Sequence, residues 1–590
     1  MFSTPDQSSL TMAPCAATVR TFGTNVLFLA ALWGGAALGL GADSVSPSGA
    51  VEEHLRIRIE AIQDGAPGAS SVGEELILAR EGVARYYRQA AFEPVWARAG
   101  GPTVLADSLL TVLRDADGEG LRPTDYHATA IDSLLRHLRA QNGAGEPLDP
   151  RRLVDLELLC TDAFLLYGSH LLTGRVDPAA INPTWTAEGR QADLVQHLEQ
   201  ALTETSLRAA LADLRPPQPE YDALRRALAR YRTLDANGGW PTLPEGPKLE
   251  VGTQDEQVPL LRRRLRITGD LSAPAPADDS LTVDSTLARG VQRFQERHGL
   301  AVDGVVGPAT RAALNVPADE RVQQIKTNLE RWRWLPADLG ALHVRVNIAG
   351  YELHVVENGT DVLRMRVVTG QAYRQTPVFS DQISYLVLNP YWHVPHSIAV
   401  KDKLPDFRRD PSLVSRLGYE VLRGWGADAA RVDPSTIDWS ALSASTFPYR
   451  LRQRPGSQNA LGQVKFMFPN AHSVYLHDTP SRYLFDRADR SFSSGCIRVE
   501  HPLDLAMTLL RHNEGWTRER LQATMGTDTE QTVVLTKKVP VHLLYWTAWA
   551  DAAGPVHFRR DVYDRDGAVR SALTAPPRPP SERDAAPSSP

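Results

Sequence analysis

Cysteine is scarce: three thiols, Cys15, Cys160 and Cys496, in 590 residues. So few cannot supply a disulfide framework. Long apolar runs are equally sparse, and only Val26–Leu40 approaches the length of a membrane span, which excludes a polytopic membrane protein. Basic tracts are lacking too. The net charge is −6, and the densest cluster, Arg262-Arg263-Arg264, lies on an amphipathic segment as a solvated face, so nothing here tracks a nucleic-acid backbone. What remains is ordinary globular composition, 42% hydrophobic and 23% charged, at a length that accommodates roughly four domains.

Against this background one segment stands out. Tyr475-Leu476-His477-Asp478-Thr479 is followed closely by Ser493-Ser494-Gly495-Cys496-Ile497-Arg498. A thiolate rather than a thiol attacks carbonyl carbon, and a nearby imidazole can take the proton or stabilise the anion. Val474 and Leu476 alternate with Tyr475 and His477, so a strand edge would put Tyr475 and His477 on one face. Gly495 permits a sharp turn, and N–H groups around Ser494, Gly495 and Cys496 are then candidates to face an oxyanion. Cys496 and His477 are the catalytic candidates. Cys160 sits among Leu156–Leu172 and reads as a buried, reduced core residue.

These residues resemble the active-site signature of the L,D-transpeptidase catalytic domain, or YkuD domain, in which a His-Gly/Asp-Thr segment precedes Ser-x-Gly-Cys-[Ile/Val]-Arg. Many members have histidine where this chain has Ser494, which leaves that position a backbone role. Further matching stretches are Gly370…Thr376-Pro377-Val378-Phe379 and Asn389-Pro390-Tyr391-Trp392, so the resemblance covers about 342–538.

Around this unit the texture changes several times. Arg20 and the apolar run form an export signal over 1–42 or, uncleaved, an inner-membrane anchor. Residues 43–240 carry helical periodicity, and Tyr86-Tyr87…Phe92-Glu93-Pro94-Val95-Trp96 with Gly118–His127 resembles the N-terminal region of the large, YcbB-like L,D-transpeptidases. His127 and His170 read there as structural histidines. After a Pro/Gly linker, Phe294-Gln295…His298-Gly299-Leu300…Asp303-Gly304…Gly307 is similar to the three-helix peptidoglycan-binding domain, placed at 250–316 with an insertion at Leu271–Asp279. Asp303, Gly304 and Gly307 read as turn builders.

From Leu342 strands follow one another, with Asn358-Gly359 as a hairpin turn, in a catalytic domain at 340–540. Residues 399–460 interrupt the sheet. Their apolar content, including Leu417, Tyr419, Val421, Leu422 and Trp425, predicts an ordered lid near the site. Residues 575–590 read as a disordered tail. The expected fold class is multidomain α+β: a helical N-terminal scaffold, a three-helix peptidoglycan-binding domain and a mixed β-sheet YkuD-type domain with an inserted lid.

The resemblance implies acyl transfer on peptidoglycan stem peptides in the periplasm, without metal or cofactor. Cys496 would attack the third stem residue of a tetrapeptide donor, expel D-Ala and form a thioester. A diaminopimelate side-chain amine would then accept the acyl group as a 3→3 cross-link. Arg498 is the candidate for a substrate carboxylate, equally readable as half of an ion pair; Tyr475 and Trp392 are candidates to line the donor pocket, with core packing the main rival reading for both. Carbapenems are the implied inhibitors. Two further readings use the same residues: a cysteine peptidase that delivers water to the thioester, and a wall-anchoring protein that needs no catalysis.

Overall fold

The computed structural model describes residues 47–580, apart from positions 188, 205, 273–279, 425, 427–428 and 552–553. The expected leader, most of the Leu271–Asp279 insertion, Trp425 and the end of the tail lie outside the described residues. Among the described residues no helix is long and apolar enough to cross a membrane.

The scaffold is built around the helix Pro150–Thr173. Asp149 caps it by accepting the Arg151 N–H at 2.9 Å, Pro150 opens it, and Gly174 follows at φ 91°. Every residue from Leu156 to Leu172 is buried, as expected of a helix apolar on all sides. Of its two buried carboxylates, Glu157 and Asp162, the first has four partners. Glu157 accepts the Tyr87 hydroxyl at 2.7 Å and the backbone N–H groups of Val95, Trp96 and Ala97 at 3.1, 2.6 and 2.5 Å. Burial nevertheless pushes its pKa up to about 7. Cys160 is buried and free.

In the small domain the helices Val258–Ile267, Ser285–Arg297 and Pro308–Leu314 enclose Leu261, Leu265, Leu287, Val291, Phe294 and Leu314. Gln295 builds its turn. The Gln295 amide donates to Asp303 at 2.7 Å and accepts the Gly304 N–H at 2.8 Å, with Gly304 at φ 75°. The arginine cluster corrects the sequence reading, because only Arg263 is solvated. Arg262 pairs with Asp284 at 2.8 Å, while Arg264 donates to the Leu314 carbonyl and stacks 4.1 Å from the Trp240 ring. A guanidinium covers apolar surface while its donors find carbonyls, so charge alone did not place it outside.

The catalytic domain holds the strands β1 (Leu342–Asn347), β2 (Glu352–Glu357), β3 (Thr360–Gly370) and β4 (Phe379–Leu388). An insert contributes β5 (Trp392–His393), β6 (Tyr419–Arg423), β7 (Ala430–Val432) and β8 (Tyr449–Gln453). The main sheet then resumes with β9 (Val464–Met467), β10 (Leu476–His477), β11 (Ser491–Ser493), β12 (Ile497–Val499) and β13 (Gln531–Leu544). Among the described residues the main sheet has nine strands in the order β11-β3-β12-β10-β9-β4-β13-β1-β2. An added β2–β3 pairing closes it on itself. Asn358 and Gly359, at φ 49° and 77°, make the two-residue turn between β2 and β3.

The insert is a second, ordered core rather than a loop. Its sheet runs β7-β6-β8-β5 and covers Phe407, Val414, Tyr419, Val421, Trp439 and Leu451. Pairing begins at Trp392, so the insert starts earlier than the sequence suggested. Tyr475 packs against both this core and the main one.

Candidate active site

The nucleophile turn is pinned above the end of β3. Strand β11 pairs parallel to β3 and β12 pairs antiparallel to it, so Ser494-Gly495-Cys496 must reverse the chain within three residues. Gly495 does so at φ 118°, a conformation that disfavours any Cβ. Ser493 Oγ accepts the Gly495 N–H at 3.1 Å and donates to the Cys496 carbonyl. From below, Thr376 Oγ1 donates to the Gly495 carbonyl at 2.9 Å and accepts the Gly370 N–H at 2.9 Å. The Tyr563 hydroxyl braces the same loop, donating to the Gly370 carbonyl at 2.6 Å and accepting the Thr376 N–H at 3.2 Å. Gly370 is required by close approach: a Cβ there would lie 2.2 Å from the Arg374 carbonyl.

His477 arrives on the neighbouring strand. The β10–β12 register pairs Leu476 with Ile497 and His477 with Arg498, which sets the imidazole beside the residues that follow Cys496. Its Nδ1 lies 2.5 Å from the Asp478 carbonyl. A carbonyl only accepts, so Nδ1 carries the proton and Nε2 keeps its lone pair. Burial, and then the Arg498 guanidinium, lower the His477 pKa to about 3. The Cys496 thiol donates to the Ser473 carbonyl at 3.9 Å. Burial raises its pKa, opposed by hydrogen bonds from the Tyr475 N–H and hydroxyl and by the charge of Arg498. The resting pair is therefore a neutral thiol and a neutral imidazole. Among the described residues no direct hydrogen bond joins them, a looseness common in sites without substrate.

The Tyr475 ring stands 5.8 Å from the His477 ring, edge to face, and Tyr475 also hydrogen-bonds Cys496, so it touches both segments. Other predicted residues fall differently. Trp392 is buried in the insert's core, 6.2 Å from the Tyr419 ring and with Lys403 Nζ 5.8 Å from its own ring centre. Its strand pairing with Gln453 made it a core residue. Arg498 is half-buried, with a buried Nε that has no partner among the described residues. The Gly495 N–H is already held by Ser493, so the amides of Ser494 and Cys496 are better placed as oxyanion donors than that of Gly495. Ser494 Oγ accepts from Arg374 at 2.9 Å. Sequence reasoning missed Arg374 and Tyr563. Thr376 and Ser493 were noted only as parts of motifs. No spacing rule reveals Arg374 or Tyr563, because their contacts span up to 193 positions of chain. Among the described residues no His, Cys, Asp and Glu group could hold a metal ion.

Residues 341–539 match the model of the "L,D-transpeptidase catalytic domain". The chain carries an L,D-transpeptidase catalytic domain. Residues 254–314 match a "Putative peptidoglycan binding domain" and 81–228 a "Scaffold domain". A Haemophilus influenzae protein named "Putative L,D-transpeptidase" is 36% identical over 250 residues, which are 42% of this chain and 49% of that protein. The chain thus spans about half the length of that curated relative. Two crystal structures also align: an L,D-transpeptidase from Stackebrandtia nassauensis and a fragment of one from Xylanimonas cellulosilytica. The first shares 14% identity over 52% of this chain and 96% of its own, at a TM-score of 0.20. The second shares 16% over 51% and 100%, at 0.16. The matched catalytic domain contains Cys496, His477 and Tyr475. It ends before Tyr563, so the brace beneath the nucleophile turn comes from sequence outside the matched unit.

Proposed function

We infer that this protein is an L,D-transpeptidase that acts on peptidoglycan stem peptides through a thioester on Cys496. The observation that carries the reading is the pairing of β10 with β12, which sets a neutral His477 beside the Cys496 turn inside the matched domain. The thiol is uncharged at rest, so its proton leaves as sulfur attacks the acyl carbon, with His477 Nε2 as acceptor. The C–N bond to the terminal D-Ala then breaks, and the imidazolium returns that proton to the departing amine. An incoming diaminopimelate side-chain amine attacks the thioester, loses a proton to His477 and releases the sulfur, which regains a proton. The oxyanion of each tetrahedral intermediate faces the N–H groups of Ser494 and Cys496.

The insert supports amine over water as acceptor. Its ordered core meets Tyr475 beside the sulfur, in a position to cover a bound donor and keep solvent from the thioester. The small domain would retain the enzyme on the wall, which places it on the cell-wall side of the membrane. A carbapenem, presenting a strained acyl carbon to the same sulfur, should acylate Cys496 once per chain.

The test is incubation of the purified protein with a tetrapeptide stem, with products resolved by mass. Cross-linked dimers plus free D-Ala are expected, and neither from Cys496→Ala. Tripeptide without dimer would make the protein a carboxypeptidase instead.

A further inference from the structure

The loop between β3 and β4 carries a group that the mechanism above does not use. Gln371 N–H donates to the Ser493 carbonyl at 3.0 Å, Arg374 N–H donates to the Gln371 carbonyl at 2.8 Å, and Thr376 holds Gly495, so the loop is fixed against the nucleophile turn. From it Arg374 projects. Its Nη1 donates to Ser494 Oγ at 2.9 Å, two residues before Cys496. The same guanidinium forks onto Asp402 of the insert, with Nη1 and Nη2 at 2.5 and 3.0 Å from the two carboxylate oxygens.

Arg374 and Asp402 keep 20% and 37% of their side chains exposed, so another carboxylate can reach the fork. A planar guanidinium with two parallel N–H donors is the protein group best matched to a carboxylate. Asp402 lies in the Ala399–Lys403 turn and takes no part in the apolar core of the insert. It is a carboxylate held beside the nucleophile turn by an arginine that also touches Ser494.

Given the transpeptidase reading on which this rests, we propose that Arg374 is the specificity residue that recognises a carboxylate of the donor stem peptide, and that Asp402 occupies it until the donor arrives. Binding exchanges one carboxylate for another on the same fork, so the guanidinium stays paired throughout. The freed Asp402 then stays solvated on the insert. Two donor carboxylates have the required chemistry, that of the terminal D-Ala and that of the diaminopimelate.

The test reads binding rather than turnover, so it stands apart from the fate of the thioester. In the full-length Cys496→Ala protein, calorimetry would measure the Kd of the tetrapeptide and of two derivatives, one amidated at D-Ala and one at the diaminopimelate carboxyl. Adding Arg374→Gln should weaken the tetrapeptide by about 10- to 100-fold, the range for losing charge-assisted hydrogen bonds. The amidated peptide that shows no such loss identifies the carboxylate. Adding Asp402→Asn should instead tighten the tetrapeptide by about 2- to 5-fold, since an exposed ion pair of this kind is weak. If both substitutions weaken all three peptides alike, the pair is only a latch that holds the insert and the proposal is wrong. Absence of tetrapeptide binding to the Cys496→Ala protein would overturn it as well. Dimer formation by the wild-type chain separately decides the transpeptidase reading.

Discussion

Two histidines, one in the scaffold and one in the catalytic domain, are equally buried at 3% and 4% exposure and yet are opposite in character. His127 lies between two carboxylates, Nδ1 2.7 Å from Glu75 and Nε2 2.8 Å from Asp162. Burial works against its charge, but Asp162 and Glu75 overcome it and raise its pKa to about 9. His477 has a carbonyl on one nitrogen and an arginine nearby, and its pKa falls to about 3. The first is a fixed cation that knits helices together. The second is a neutral base with one nitrogen free. Burial is common to both, so the facing groups decide which histidine carries a charge.

The largest effect that could break this contrast is on rate. His477→Ala should slow acylation of Cys496 by about 10²–10⁴-fold, the usual loss for a general base, with little change in unfolding midpoint. An unchanged acylation rate would remove His477 from the mechanism. His127→Gln should do the reverse. It leaves Asp162, fully buried, with the Ala79 N–H at 2.6 Å as its remaining partner, and about 3–5 kcal/mol of stability should be lost while Cys496 acylation is kept. Urea unfolding measures the first and a lactam acylation assay the second.

The pH dependence of stability separates the two further. A raised pKa gives stability that is complete below the unfolded value near 6.5 and disappears as pH climbs through about 9. His127 should therefore contribute up to about 3 kcal/mol near pH 6 that is gone above pH 9. His477, with its pKa depressed, acts in the other direction: its share is present above 6.5 and is lost as pH falls toward 3. Unfolding followed from pH 6 to 9 should lose its slope in His127→Gln and keep it in His477→Ala. Equal slopes in wild type and His127→Gln would contradict the assignment of charge to His127.

The smallest effect expected is that of Tyr563→Phe. This substitution removes the hydroxyl that bridges Gly370 and Thr376 while the stacked contact with Tyr545 stays, so acylation should slow by about 2- to 10-fold. No change at all would mean that Thr376 alone holds the turn.

Local sequence revealed the elements whose signals are local. The Asn358-Gly359 turn, the helix that buries Cys160, the Gln295–Gly304 turn of the small domain and the His477/Cys496 segments were all legible, because each is specified within a few residues. Arg264 was not. It was assigned to solvent by its chemistry and was moved by partners far along the chain, Trp240 and Leu314. The position of the insert was legible from its break in the strand pattern. Its first strand was missed because two residues, Trp392 and His393, carry no periodicity to read. The same limit hid Tyr563, whose hydroxyl matters only through a contact that closes 193 residues of chain.

The central claim, a thioester on Cys496, is tested most directly by trapping it. Full-length protein mixed with a tetrapeptide stem, quenched in acid within the first turnovers and digested, should yield the peptide that contains Cys496 heavier by one tripeptide acyl group. The adduct should vanish on treatment with hydroxylamine, and it should be absent from Cys496→Ala. Conversion of the tetrapeptide with no mass added at Cys496, or an acyl group found on another residue, would contradict the account.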